Sequence, residues 1–143
     1  MFQTVEEYIA KNSEKKRLID KILKDCGNTG NLQEFQKSYI ITYNECYLIF
    51  KLQSNKLDNL YLVDAIFTKE ELRKKGLAQK LLKKLPKNLL FIFDTLSDDL
   101  KRFLIKQNAR EKNYFSSDLK SRKQFLFSTS NNYSFIPEKD IDF

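Results

Sequence analysis

A chain of 143 residues has the length of one ordinary domain, roughly 100 to 200 residues, and its 41% hydrophobic and 13% aromatic content excludes a disordered segment. With no histidine, the common zinc sites, Ser–His and Cys–His catalysis and histidine pH switching are excluded, and two cysteines are too few for a disulfide framework. The 26 Lys+Arg against 19 Asp+Glu leave a net charge of +7, which favours an acidic partner such as nucleic acid, a phosphorylated cofactor or an anionic surface.

Residues 2–25 place Val5, Tyr8, Ile9, Leu18, Ile19, Ile22 and Leu23 at helical spacing, with Asn12-Ser13 as a break between two short helices. Glu6 and Glu7 stand where a signal peptide needs positive charge, and the apolar runs "CYLIF" and "NLLFIF" are too short to span a membrane. A soluble, cytoplasmic protein made without export is expected, with Cys26 and Cys46 as small buried hydrophobes. "CGNTGN" ends the helical region. "SYIITY" and "CYLIFKL", joined at Asn44-Glu45, and then "NLYLVDAIF" read as three successive antiparallel strands, with Asp64 inside the third.

From Thr68 the apolar period becomes helical, with Leu77, Leu81, Leu82 and Leu85 on one stripe and Pro86 as the stop. Most of the surplus charge lies here: Lys69, Arg73, Lys74, Lys75, Lys80, Lys83, Lys84 and Lys87 against Glu70 and Glu71. Two structures fit. In the first, Thr68 and Glu71 form a capping box and one helix runs from Lys69 to Leu85, tolerating Gly76 inside at about 1 kcal/mol. In the second, "RKKG" is a turn, and the helix begins after it with unpaired N–H groups that a phosphate oxygen can accept.

"NLLFIFDTL" reads as a strand buried on both faces, and Ser97 caps a helix with Asp98 and Asp99 in its first turn and Leu100, Phe103 and Leu104 on one face. A helix between two buried strands implies a crossover. "NYF" and "KQFLFST" read as closing strands, and residues 130–143 as a loosely packed polar tail of a single domain spanning 1–143. The class is α/β (α+β), with a mixed, mostly antiparallel sheet and helices on both faces.

Arg73-Lys74-Lys75-Gly76-Leu77-Ala78 resembles the acetyl-coenzyme A motif R/Q-x-x-G-x-G/A of the GNAT N-acetyltransferases, which follows that family's fourth strand and opens its third helix. The surrounding elements occur in the family's order, so the resemblance covers roughly Tyr39 to Arg110, with Phe2 to Lys24 standing where its first two helices would be. It implies that backbone N–H groups from Lys74 to Ala78 bind the pyrophosphate of acetyl-coenzyme A, with Arg73 and Leu77 in the same motif, and that Ile66, Phe67 and Thr68 face the pantetheine arm and thioester. It places Phe103 where such enzymes often carry a tyrosine that protonates the departing thiolate; phenylalanine has no proton to give, and Tyr114 is the substitute candidate. For the base that takes the amine proton, Asp64 is the best-placed carboxylate, against the alternative that it points outward or is structurally paired. Asp94 carries the same ambiguity one strand later.

Two functional readings follow from the resemblance. One is an acetyl-coenzyme A-dependent N-acetyltransferase in which an amine, carried by an acidic or nucleic-acid-associated molecule, attacks the thioester directly. The other is a catalytically inactive protein of the same fold whose basic face binds an acidic protein or, without sequence specificity, nucleic acid. A third reading is an unrelated small α/β protein with a solvated lysine helix. No metal and no membrane partner are expected.

Overall fold

The structure, a computed structural model, describes residues 2–53, 59–95, 97–112 and 123–130. The chain divides into two compact units, Met1–Lys51 with Val63–Lys84 and Leu52–Leu62 with Leu85–Phe143.

In the first unit a short strand β1 (Gln3–Thr4) leads into helix α1 (Val5–Lys11). Thr4 and Glu7 form a capping box, the Thr4 hydroxyl accepting from the Glu7 N–H at 3.1 Å and the Glu7 carboxylate accepting from the Thr4 N–H at 3.2 Å. Asn12 ends α1, a 3-10 turn (Ser13–Lys15) follows, and α2 (Lys16–Asp25) carries Ile19, Ile22 and Leu23 on its buried face, so the expected break at Asn12-Ser13 is present. Strands β2 (Tyr39–Tyr43) and β3 (Cys46–Leu52) pair antiparallel. A two-residue turn joins them, with both Asn44 (φ 45) and Glu45 (φ 66) left-handed, the geometry that matches hairpin twist.

Residues opposite each other in that ladder share a face, so the register Ile40↔Ile49 and Thr42↔Tyr47 separates two packing surfaces. On one, Ile40, Tyr47 and Ile49 close over Val5, Tyr8, Ile19, Ile22 and Leu23. Each fully buried Ile or Leu there contributes about 1.5–3 kcal/mol of transfer free energy. On the other, Tyr39 and Phe50 meet Phe2, and Lys84 sits over the Tyr43 ring at 4.6 Å, just beyond helix α3 (Leu77–Lys83). Helices therefore cover both faces of this part of the sheet.

Strand β4 (Leu60–Thr68) begins in the second unit and ends in the first. In the second unit its start pairs parallel with β5 (Leu90–Thr95), Leu60↔Leu90 through Leu62↔Ile92. A parallel pair with α3 between its strands is the expected crossover. Leu90, Phe91, Ile92 and Phe93 are all buried, as the unbroken apolar run requires. Antiparallel to β5 lies β7 (Lys123–Ser128), which pairs in turn with β6 (Arg110–Lys112). Helix α4 (Asp98–Lys106) starts on Ser97, whose hydroxyl accepts from the Leu100 N–H at 3.3 Å.

The hydrogen-bonded order is β1-β2-β3-β4-β5-β7-β6, a seven-stranded, mostly antiparallel sheet with helices in a mixed α/β fold. The closing strand expected at "KQFLFST" is β7. The other expected closing strand, "NYF", lies outside the described residues, and the short strand that pairs with β7 is Arg110–Lys112, shortly after α4.

Candidate functional site

The basic stretch is a turn followed by a helix, and the single helix from Lys69 to Leu85 does not form. The reason lies at the end of β4: Lys69, which would open that helix, is extended (ψ 134) with its N–H on the Glu45 carbonyl at 3.1 Å, and Thr68 before it is still in the strand, its hydroxyl donating to Cys46 Sγ at 3.3 Å. Only a 3-10 turn, Glu70–Leu72, follows, without a side-chain cap. Lys74 (φ 66) and Gly76 (φ 75) are then left-handed, which redirects the chain into α3. A left-handed lysine costs on the order of 1 kcal/mol or more.

Gly76 occupies the N-cap of α3 without any side-chain cap, and the first helical bond runs from the Lys80 N–H to the Gly76 carbonyl at 3.0 Å. Helical geometry gives the N–H groups of Leu77, Ala78 and Gln79 no acceptor within the helix. A Cβ built on Gly76 would meet nothing within 4 Å, so this side of the turn is open. Lys74, Lys75 and Gly76 are exposed, while Leu77 and Ala78 are half-buried. The motif thus has an open backbone surface with two lysines beside it.

Arg73 turns back toward β4. Its Nε–H donates to the Thr68 carbonyl at 2.9 Å, and its guanidinium lies 5.6 Å from the centre of the Phe67 ring. Phe67 in turn lies 6.4 Å from the Tyr47 ring, against the core below α1 and α2. Behind it stands a polar group that sequence reasoning missed: the Tyr47 hydroxyl donates to Glu45 Oε2 at 3.3 Å, and Lys15 Nζ lies 3.5 Å from Glu45 Oε1. Burial pushes the Tyr47 phenol up, as it does that of Tyr8. Only the hairpin register, which puts Glu45 in the turn beside Lys69, brings this group together, and no spacing in the sequence announces it.

Asp64 has a side chain 5% exposed, with Ser38 Oγ donating to Oδ2 at 3.4 Å and Lys51 Nζ 3.8 Å from Oδ1. The carboxylate does not point outward, and Ser38 and Lys51 are its polar neighbours. Both contacts are long, so desolvation prevails: burial pushes the carboxyl above its ordinary range, with Lys51 and then Ser38 pulling the other way. The same segment of β4 is held from the turn after α2, since Asn28 Nδ2 donates to the Asp64 carbonyl at 2.9 Å and Cys26 Sγ donates to the Ile66 carbonyl at 3.7 Å. Cys46 is buried as expected, but Cys26 is exposed, its residue lying past the end of α2 while its thiol points inward. Burial raises both thiols.

One unit therefore brings together Asp64, Ile66, Phe67, Thr68 and the Arg73–Ala78 turn. Phe103 lies half-buried on α4 in the other unit, and Asp94 half-buried on β5. Tyr114 lies outside the described residues. Among the described residues no three His, Cys, Asp or Glu side chains are grouped to hold a metal ion, and no helix is long and apolar enough to cross a membrane.

No family model matches the chain, and no curated protein matches it. Among solved structures, it aligns with a provisionally assigned acetyltransferase from Agrobacterium tumefaciens over 88% of this chain and 94% of that one, with 16% identity and a TM-score of 0.41. A likeness of that size speaks to architecture at most.

Proposed function

We propose that the protein is an acetyl-coenzyme A-dependent N-acetyltransferase. The observation that carries this reading is the Arg73–Ala78 turn: a motif of the acetyl-coenzyme A type, between a strand and a helix, with a left-handed glycine whose open side leaves room for a ligand. The residues fit the coenzyme, since uncapped N–H groups and the exposed cations of Lys74 and Lys75 suit a pyrophosphate, and the apolar Ile66 and Phe67 suit a pantetheine arm. When bound, the coenzyme supplies an acetyl group activated as a thioester.

Asp64 serves as the proton acceptor. An amine must shed a proton as its nitrogen bonds the acetyl carbon and the carbon–sulfur bond breaks. A carboxylate whose pKa is raised by burial is closer to neutral working pH than an exposed one and so better matched to that transfer. Phe103 has no proton to give a leaving group, so that proton would come from solvent. The acceptor amine belongs to an acidic or nucleic-acid-associated molecule, attracted by the lysines of residues 69–87.

The half-buried Phe103, where resemblance places a tyrosine, favours a second reading in which the same fold binds an acidic partner without turnover. A free-thiol assay separates the two. Protein, acetyl-coenzyme A and a panel of acidic peptides each carrying one lysine amine should release coenzyme A thiol faster than acetyl-coenzyme A alone, and Asp64→Asn should slow the release on the order of a hundredfold. No acceleration with any amine, by protein that binds the coenzyme, leaves the second reading.

A further inference from the structure

The Arg73–Ala78 turn contains one cation that folds back onto the strand before it. Arg73 is exposed, yet its Nε–H is engaged with the carbonyl of Thr68, five residues back, and its guanidinium carbon lies over the Phe67 ring, 5.6 Å from its centre. The two contacts do different things. The hydrogen bond closes residues 68–73 into a loop, and the ring contact fixes the direction from which the chain enters Lys74. Both end on the last two residues of β4, which are themselves anchored: Thr68 to Cys46 Sγ, Phe67 against Tyr47, and Lys69 to the Glu45 carbonyl. Immediately after Arg73 comes the left-handed Lys74, a conformation a lysine does not hold unaided.

We propose that Arg73 is a positioning residue, a side-chain clip that locks the turn so that the backbone N–H groups after it are presented together, and that its charge is secondary. The proposal rests on the acetyl-coenzyme A reading for its ligand but not for its geometry. Its chemical content is specific: what matters is an N–H on the fourth side-chain atom beyond Cα. Glutamine carries its Nε2 at that same position and has no charge. Lysine carries the charge one bond further out and has no planar group to lie on Phe67. Methionine matches the length and offers no donor. A residue acting by charge and a residue acting as a clip therefore rank these replacements in opposite orders.

The experiment is a calorimetric titration of wild type, Arg73→Gln, Arg73→Lys and Arg73→Met with coenzyme A at two salt concentrations, each variant first shown by circular dichroism to be folded. The clip predicts that Gln keeps most of the affinity and the wild-type salt dependence, while Met loses on the order of fivefold to tenfold, the value of one hydrogen bond, with Lys near Met. Lys close to wild type, with Gln and Met equally weak and a flatter salt dependence, overturns it. If wild type does not bind coenzyme A, the functional reading fails instead, and amide hydrogen exchange from Lys74 to Ala78 decides the clip. Faster exchange in Met but not in Gln supports it, and equal exchange in the two overturns it.

Discussion

A single charge placed at Gly76 tests whether the turn receives a phosphate. The residue is left-handed at φ 75, so most replacements confound charge with backbone strain, but Asn and Asp both tolerate this conformation and differ in little besides charge. Neither replacement clashes at its first side-chain atom, because a Cβ at this position has nothing within 4 Å. Comparing Gly76→Asp with Gly76→Asn therefore isolates the carboxylate. Two like charges about 4 Å apart repel by about 1 kcal/mol in water and about 4 kcal/mol at the effective dielectric of a protein surface. Calorimetric titration with coenzyme A should accordingly show Asp weaker than Asn by between about fivefold and about a thousandfold, with the gap narrowing at high salt. Both variants should melt at the same temperature. Equal affinity for the two, with Asn close to wild type, would refute the placement of a phosphate beside Gly76.

Three further outcomes follow from the same structure. Asp64 has a folded pKa above its unfolded value of about 3.9, so the folded state binds more protons and its contribution to stability falls as pH rises from about 4 through the folded pKa. Urea unfolding of Asp64→Asn should lose that part of the pH dependence, and the acid limb of the thiol-release rate should disappear with it; an unchanged pH profile would contradict the assignment. Thr4→Ala removes a formed capping box and should cost about 1 kcal/mol in urea unfolding, whereas Thr68→Ala, despite the same Thr-x-Glu-Glu pattern, should leave helix content unchanged by circular dichroism. Ile49→Ala opens a cavity in the core below α1 and α2 and should cost about 2–5 kcal/mol by the same urea measurement, a loss under 1 kcal/mol arguing against that packing.

Much of the architecture is legible because local chemistry and tertiary demand agree. The break at Asn12-Ser13, the strands over Tyr39–Tyr43 and Cys46–Leu52, the buried run at β5 and the Ser97 cap all follow from periodicity and capping residues that nothing distant overrides. The two Thr-x-Glu-Glu patterns mark where this agreement ends. At Thr4 the box closes; after Thr68 the chain is held extended at Lys69 by the Glu45 carbonyl, a distant partner that no local pattern reveals. β1 has only two residues and exists because β2 offers an edge to Gln3 and Thr4, so no periodicity could mark it. The motif was visible in the candidate site, and so was the anomaly of a carboxylate at Asp64, but their supports were not. Arg73 on the Thr68 carbonyl, Asn28 on the Asp64 carbonyl and the Lys15–Glu45–Tyr47 group behind Phe67 are contacts made by folding.

Titration of the wild-type protein with acetyl-coenzyme A tests the central claim most directly. Binding in the micromolar range, weakened by salt and competed by coenzyme A, is the result predicted for an open, lysine-flanked turn that holds a pyrophosphate. A folded protein that takes up no heat and shows no competition at millimolar acetyl-coenzyme A would contradict the acetyltransferase reading.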